Sequence, residues 1–121
     1  MKHTYETGLL GEKEAEDWLC GTQGMITLER RFRSRRGEID LIMRDGDTIV
    51  FVEVKTRKTG DAGNGMISVN TAKQKRIAES AIMYLMNRRL LDQPVRFDVV
   101  EVRPGFVMHI RNAFQPGGMF F

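Results

Sequence analysis

Three charged side chains interrupt runs of strand-forming apolar residues. Asp40 stands in Gly37-Glu38-Ile39-Asp40-Leu41-Ile42-Met43, and Glu53 and Lys55 stand in Ile49-Val50-Phe51-Val52-Glu53-Val54-Lys55. A charge removed from water into such surroundings is costly unless it is paired, hydrogen-bonded or bound to a metal. Near the ends of facing strands, Asp40 and Glu53 would offer hard oxygen ligands to a divalent ion, and Mg²⁺ accepts a few carboxylates alongside waters and substrate oxygens. The backbone carbonyl of Val54 would complete the shell. Lys55, on the same face as Glu53, would hold an attacking water or stabilise charge developing on a phosphoryl group. This chemistry is phosphodiester hydrolysis. The plainer alternative is a half-solvated sheet, because Glu-x-Lys occurs in many strands, and the bare pattern fits both.

A hairpin has to position these groups. Asp45-Gly46-Asp47 separates strands expected over 38–44 and 48–55, and Asp-Gly between alternating apolar runs is a strong hairpin signal. Period-two alternation predicts Glu38, Asp40 and Ile42 on one face, and Ile49, Phe51, Glu53 and Lys55 on one face of the next strand, with Val50, Val52 and Val54 opposite. Apolar residues on both faces of that second strand predict a central strand covered on both sides.

Around the hairpin, Leu9, Leu10, Ala15, Trp18 and Leu19 predict a helix over 6–20, ended by Gly21 and Gly24. Ile26, Leu28 and Phe32 predict a strand over 25–33. Residues 57–66, with three glycines, read as a mobile surface loop. A helix follows over 70–90, its apolar stripe formed by Ile77, Ala78, Ala81, Ile82, Leu85 and Met86. Lys73, Lys75 and Arg76 occupy its first turns, against the preference of the helix dipole. Strands over 95–102, with Phe97, Val99 and Glu101 on one face, and over 107–111 come next, and the tail over 112–121 is irregular. The order helix, three strands, helix, two strands predicts an α/β fold, a mixed central β-sheet flanked by helices, in a single domain over 1–121.

Composition narrows the function classes. The 121 residues are 41% hydrophobic and 29% charged, ordinary for a soluble globular protein. No apolar run is long enough to span a bilayer and the N-terminus lacks a signal-peptide core, so the expected location is cytoplasmic, with no membrane partner. The lone Cys20 has no internal disulfide partner and is expected to fill core, as are the eight methionines. His3 and His109 have no Cys or His cluster beside them, which disfavours zinc. Neither kind of Gly-rich phosphate loop is present. The net charge of +3 is mild, but Arg30, Arg31, Arg33, Arg35 and Arg36 fall within seven positions, with basic pairs at 57–58, 75–76 and 88–89. Cations so clustered point to a polyanion.

GEIDLIM, a tight hairpin, then IVFVEVK followed by a basic helix and a further strand resembles the core of the PD-(D/E)XK nuclease superfamily over nearly the whole chain. The fold this implies is restriction-endonuclease-like. A closer resemblance is to the bacterial YraN family, related to archaeal Holliday-junction resolvases. It is carried by Gly8, Gly11, Glu12 and Ala15, by residues 36–42 and 51–57, by Lys73, and by Arg96-Phe97-Asp98-Val99-Val100. The resemblance implies that Asp40 and Glu53 bind Mg²⁺ or Mn²⁺, that Lys55 is the catalytic lysine, and that Glu12 is a further acidic member of the site. The expected activity is metal-dependent cleavage of DNA, including branched DNA, with phosphates held by Arg33, Arg35, Arg36, Arg57, Lys73 and Lys75. Symmetric cutting of two strands would need a homodimer. The competing expectation is a nucleic-acid-binding or assembly module that keeps the nuclease fold without turnover.

Overall fold

A computed structural model describes residues 2–57 and 69–117, with side chains from residue 8 onward. Helix α1 (Lys2–Gln23) is followed by an antiparallel meander of β1 (Ile26–Ser34), β2 (Gly37–Asp45) and β3 (Thr48–Thr56). Helix α2 (Thr71–Asn87) then carries the chain back, so that β4 (Val95–Arg103) pairs in parallel with β3, and β5 (Phe106–Ile110) closes the sheet antiparallel to β4. The spatial order is β1-β2-β3-β4-β5. This is the α/β architecture expected, a mixed sheet in αβββαββ order. Among the described residues no helix is long and apolar enough to cross a membrane.

Each face of the sheet is covered by one helix. Ile39, Ile42, Ile49, Phe51, Phe97 and Val99 pack with Ile77, Ala81, Tyr84 and Leu85 of α2. Leu41, Met43, Val50, Val52, Val100 and Val102 pack with Ala15 and Leu19 of α1. Strand β3 alternates between the two cores, which is why its sequence is apolar on both faces. Burying one such side chain contributes roughly 1.5–3 kcal/mol, so Phe51, fully buried and stacked on Phe97, helps anchor the strand.

In β2 the period-two expectation fails at one residue. Ile39 and Ile42 both face α2, whereas Leu41 and Met43 face α1. Glu38, Asp40 and Ile42 therefore do not share a simple face. Pairing shows why: β2 follows β1 from Arg44 to Gly37, but its register with β3 runs only from Asp45↔Thr48 to Leu41↔Val52. Beyond Leu41 the strand stays with β1 and parts from β3, and Asp40 stands at the split. Across from it on β1, Arg31 adopts a left-handed φ of 51° between residues paired with Leu41 and Ile39. Such distortions re-aim side chains and are frequent beside functional sites.

Other expectations need correction. Gly21 does not end α1; the helix continues to Gln23 and stops at Gly24, whose φ of 68° suits glycine. One glycine inside a helix costs only about 1 kcal/mol, less than the packed Leu19 beside it contributes. Leu10 and Met86, read as apolar helix positions, and Ile26, read as an apolar strand position, are exposed, as is Cys20, which fills no core. Helix α2 ends at Asn87 instead of 90. Arg89 takes a φ of 58° there, and the N–H groups of Arg89 and Leu90 donate to the carbonyls of Met86 and Leu85, closing the helix with a left-handed residue other than glycine. Apart from Arg57, the loop expected over 57–66 lies outside the described residues, as do Phe120 and Phe121.

Candidate active site

At the split between β2 and β3 a backbone donor loses its strand partner. The Val54 N–H donates instead to Asp40 Oδ2 at 2.8 Å, so the aspartate side chain substitutes for the missing ladder bond. This fixes the carboxylate against β3 beside Glu53. Burial pushes the Asp40 carboxyl up to about 8, and the charge of Glu53 pushes the same way; the Val54 N–H opposes both, Glu12 adds a further upward push and Lys73 a downward one.

Helix α2 contributes the counter-charge. Asn70 caps its N-terminus by accepting the Lys73 N–H at 2.8 Å, and Gln74 Nε2 donates to the Val69 carbonyl at 2.7 Å. From that pinned first turn Lys73 Nζ reaches to 2.5 Å from Glu53 Oε2. Lys73, expected as a phosphate contact, thus has its charge committed to a buried carboxylate, and that buried partner outweighs the dipole conflict seen in the sequence.

Helix α1 contributes Glu12. A Cβ on the preceding Gly11 would stand 2.3 Å from Thr56 Oγ1, so the helix touches the end of β3 where only glycine fits, and the next residue comes close enough to act on Asp40. Glu12 is held by Arg31, whose Nε and Nη2 donate to its two carboxylate oxygens at 2.9 and 3.4 Å. The strained φ at Arg31 therefore carries a side chain into this site. Sequence reasoning counted Arg31 only as one cation of a cluster, because nothing in the pattern marks a left-handed arginine.

The remaining predicted residues divide into two groups. Lys55 is half-buried, its Cα opposite Glu101, and makes no ion pair among the described residues. Arg35, Arg36 and Lys75 are exposed. Arg33 is exposed but donates to Glu38 at 2.9 Å. Arg57 Nε lies 3.6 Å from the buried Glu101, and its backbone N–H donates to Val102, which ties it to β4.

A second buried charge system was missed. Asp98, fully buried on β4, accepts from Arg96 Nε and Nη2 at 2.9 and 3.0 Å and from the Asn112 N–H at 2.9 Å, and lies 2.7 Å from His109 Nε2. Arg96 also reaches Asp45 at 3.0 Å. Burial pushes the Asp98 carboxyl up, but the bonds with His109, Arg96 and Asn112 outweigh it and hold it below the usual carboxylate range. His109 meets the edge of Trp18. This network clamps β4, β5 and the β2–β3 turn together; the Arg-x-Asp spacing at 96–98 was its sequence signal.

The donor set at the split suits a small hard cation. Two adjacent carboxylates supply oxygens only, and Mg²⁺ is commonly held by one or two carboxylates with waters and phosphate oxygens completing its shell. Among the described residues no group of three or more His, Cys, Asp or Glu is placed to hold a metal ion; the split itself offers two carboxylates, and Glu12 is occupied by Arg31.

These features define an α/β protein whose mixed sheet opens at one point to hold an acid pair against a helix N-terminus. The chain belongs to the uncharacterised protein family UPF0102, the YraN family, whose model matches residues 11–102, a span that includes every predicted site residue. It is 46% identical to a UPF0102 protein of Alkalilimnicola ehrlichii over 93% of this chain and 90% of that one. It is 44% identical to a UPF0102 protein of Geobacter metallireducens, over 93% and 95%. Among solved structures the chain is similar to the crystal structure of SSO0001, with a TM-score of 0.43 and 18% identity over 93% of this chain. The match covers 52% of that protein, so this chain spans about half its length.

Proposed function

We propose that this protein is a cytoplasmic, Mg²⁺- or Mn²⁺-dependent endonuclease acting on DNA. The observation that carries the reading is the acid pair: a buried Glu53 and a half-buried Asp40 stand side by side where their strands part, and desolvation together with the charge of Glu53 raises the Asp40 carboxyl to about 8. Two mutually repelling carboxylates are poor stabilisers of a fold and good ligands for a divalent ion.

When bound, the metal lowers the pKa of a water and offsets charge on the phosphate. The Val54 N–H keeps Asp40 Oδ2 aimed while this happens. Lys55 Nζ donates hydrogen bonds to the attacking water or to a phosphoryl oxygen. The exposed Arg35 and Arg36, at the β1–β2 turn, hold flanking phosphates, with Lys75 on the basic turn of α2. Glu12, held by Arg31, keeps a carboxylate near Asp40. Symmetric cutting of a branched substrate would use two copies of this site, as in a homodimer.

One observation favours the second reading, a nucleic-acid-binding module without turnover: Glu53 already has a cation in Lys73. The two readings separate on a panel of linear, single-stranded, flapped and four-way DNA incubated with Mg²⁺ or Mn²⁺. The nuclease reading expects cleavage that Asp40→Ala and Glu53→Ala abolish, and that Lys55→Met lowers by about 10² or more while binding persists. Binding with no cleavage above those controls leaves the module reading.

A further inference from the structure

Lys73 forms an ion pair with Glu53, one of the two acids of the site. The pair is asymmetric. The Glu53 side chain is 7% exposed, whereas that of Lys73 is 36% exposed and rises from a helix turn pinned by the Asn70 cap and the Gln74 bond to Val69. The ammonium can leave along its solvent side through rotation of its own stem, with no movement of α2. A lysine suits such an exchange because its ammonium is a point charge on a flexible stem, without the bidentate geometry that locks an arginine.

An ammonium 2.5 Å from Glu53 Oε2 and a divalent ion on the same carboxylate would sit only a few ångströms apart. Like charges so close in a poorly solvated site repel strongly, so only one of them keeps the carboxylate. We propose that Lys73 is the resident counter-cation of Glu53, competing with the divalent metal for the acid pair and turning outward to a phosphate oxygen of the nucleic acid when the metal displaces it. This rests on the metal-site reading above and adds a regulatory step to it. The metal-free protein keeps its buried acids partly neutralised, metal binds the free protein weakly, and nucleic acid strengthens metal binding by accepting the released ammonium. Linkage requires the metal to strengthen nucleic-acid binding by the same factor.

The test needs no catalysis. Mn²⁺ binding is titrated without DNA by the loss of the free-ion electron paramagnetic resonance signal, for the wild type, Lys73→Met, Lys73→Gln, Lys73→Arg and Glu53→Gln, with circular dichroism confirming that each is folded. Removing a half-exposed competing ion pair should tighten Mn²⁺ binding about fivefold in Lys73→Met and Lys73→Gln, and Lys73→Arg, which keeps the charge, should bind no tighter than wild type. Equal or weaker Mn²⁺ binding by both neutral variants, with binding lost in Glu53→Gln, overturns the competition and leaves the metal site standing. Absence of Mn²⁺ binding in wild type and neutral variants alike overturns both.

Discussion

Replacing Asp40 by asparagine should stabilise the metal-free protein, and increasingly so as the pH rises. The Asp40 carboxyl moves from an ordinary 3.8 up to about 8 on folding, through burial and the neighbouring Glu53. A raised folded pKa means the native state holds a proton that the unfolded state has released. Stability linked to this proton is complete below about pH 4 and is lost as pH rises toward about 8. The slope in that window is about 1.4 kcal/mol per pH unit for one fully linked proton, so the full shift corresponds to an upper bound of about 5–6 kcal/mol. Water entry reduces it, and a net effect of about 2–4 kcal/mol is expected. The amide oxygen of the Asp40→Asn variant would still accept the Val54 N–H, so the strand split keeps its bond. Urea unfolding in EDTA should therefore give nearly equal stabilities for wild type and Asp40→Asn near about pH 4.5, and a clear advantage for the variant near about pH 8.5. Adding Mn²⁺ should reverse the order, because metal rewards the ionised pair only in the wild type. Parallel pH profiles, or a variant less stable at both pH values, would refute the reasoning.

Asp98→Asn should cost about 3–5 kcal/mol in urea unfolding, since it takes the shared carboxylate from the half-buried Arg96 and from His109. The lowered Asp98 pKa gives the opposite sign to Asp40: its stabilisation is present above the ordinary carboxylate range and is lost as pH falls below it, so wild type should lose more stability on acidification than Asp98→Asn. Gly11→Ala forces a Cβ against Thr56 Oγ1 and should cost about 1–3 kcal/mol, much of it recovered in the Gly11→Ala/Thr56→Ala double variant, as thermal melts would register. Arg35→Ala/Arg36→Ala should weaken DNA binding and flatten its logarithmic salt dependence by about one per residue, measured by fluorescence anisotropy across salt concentrations.

Much of the fold is legible in this chain because its apolar periods are strong. The Asp-Gly turn between two alternating runs marks the hairpin, and the two-faced apolar pattern of residues 49–54 marks the central strand. Helix ends were less legible. Gly21 reads as a stop, yet tertiary packing of Leu19 carries α1 past it, while Arg89 ends α2 with a left-handed conformation that propensity assigns to glycine. Exposure of Leu10, Met86 and Cys20 was hidden for a related reason: a helical stripe is wider in sequence than the face its neighbours cover.

Residue type and spacing alone determined that Asp40, Glu53 and Lys55 belong to one hairpin and that two acids there need a compensating charge, since alternation and desolvation are local and general. They did not determine what compensates them. That was decided by where β2 leaves β3, which frees the Val54 N–H for Asp40, and by two helices that are remote in sequence. One brings Lys73 onto Glu53 and the other brings Glu12 under Arg31. Strand divergence and helix docking depend on the packing of whole faces, and electrostatic partners joined by such packing leave no period in the chain.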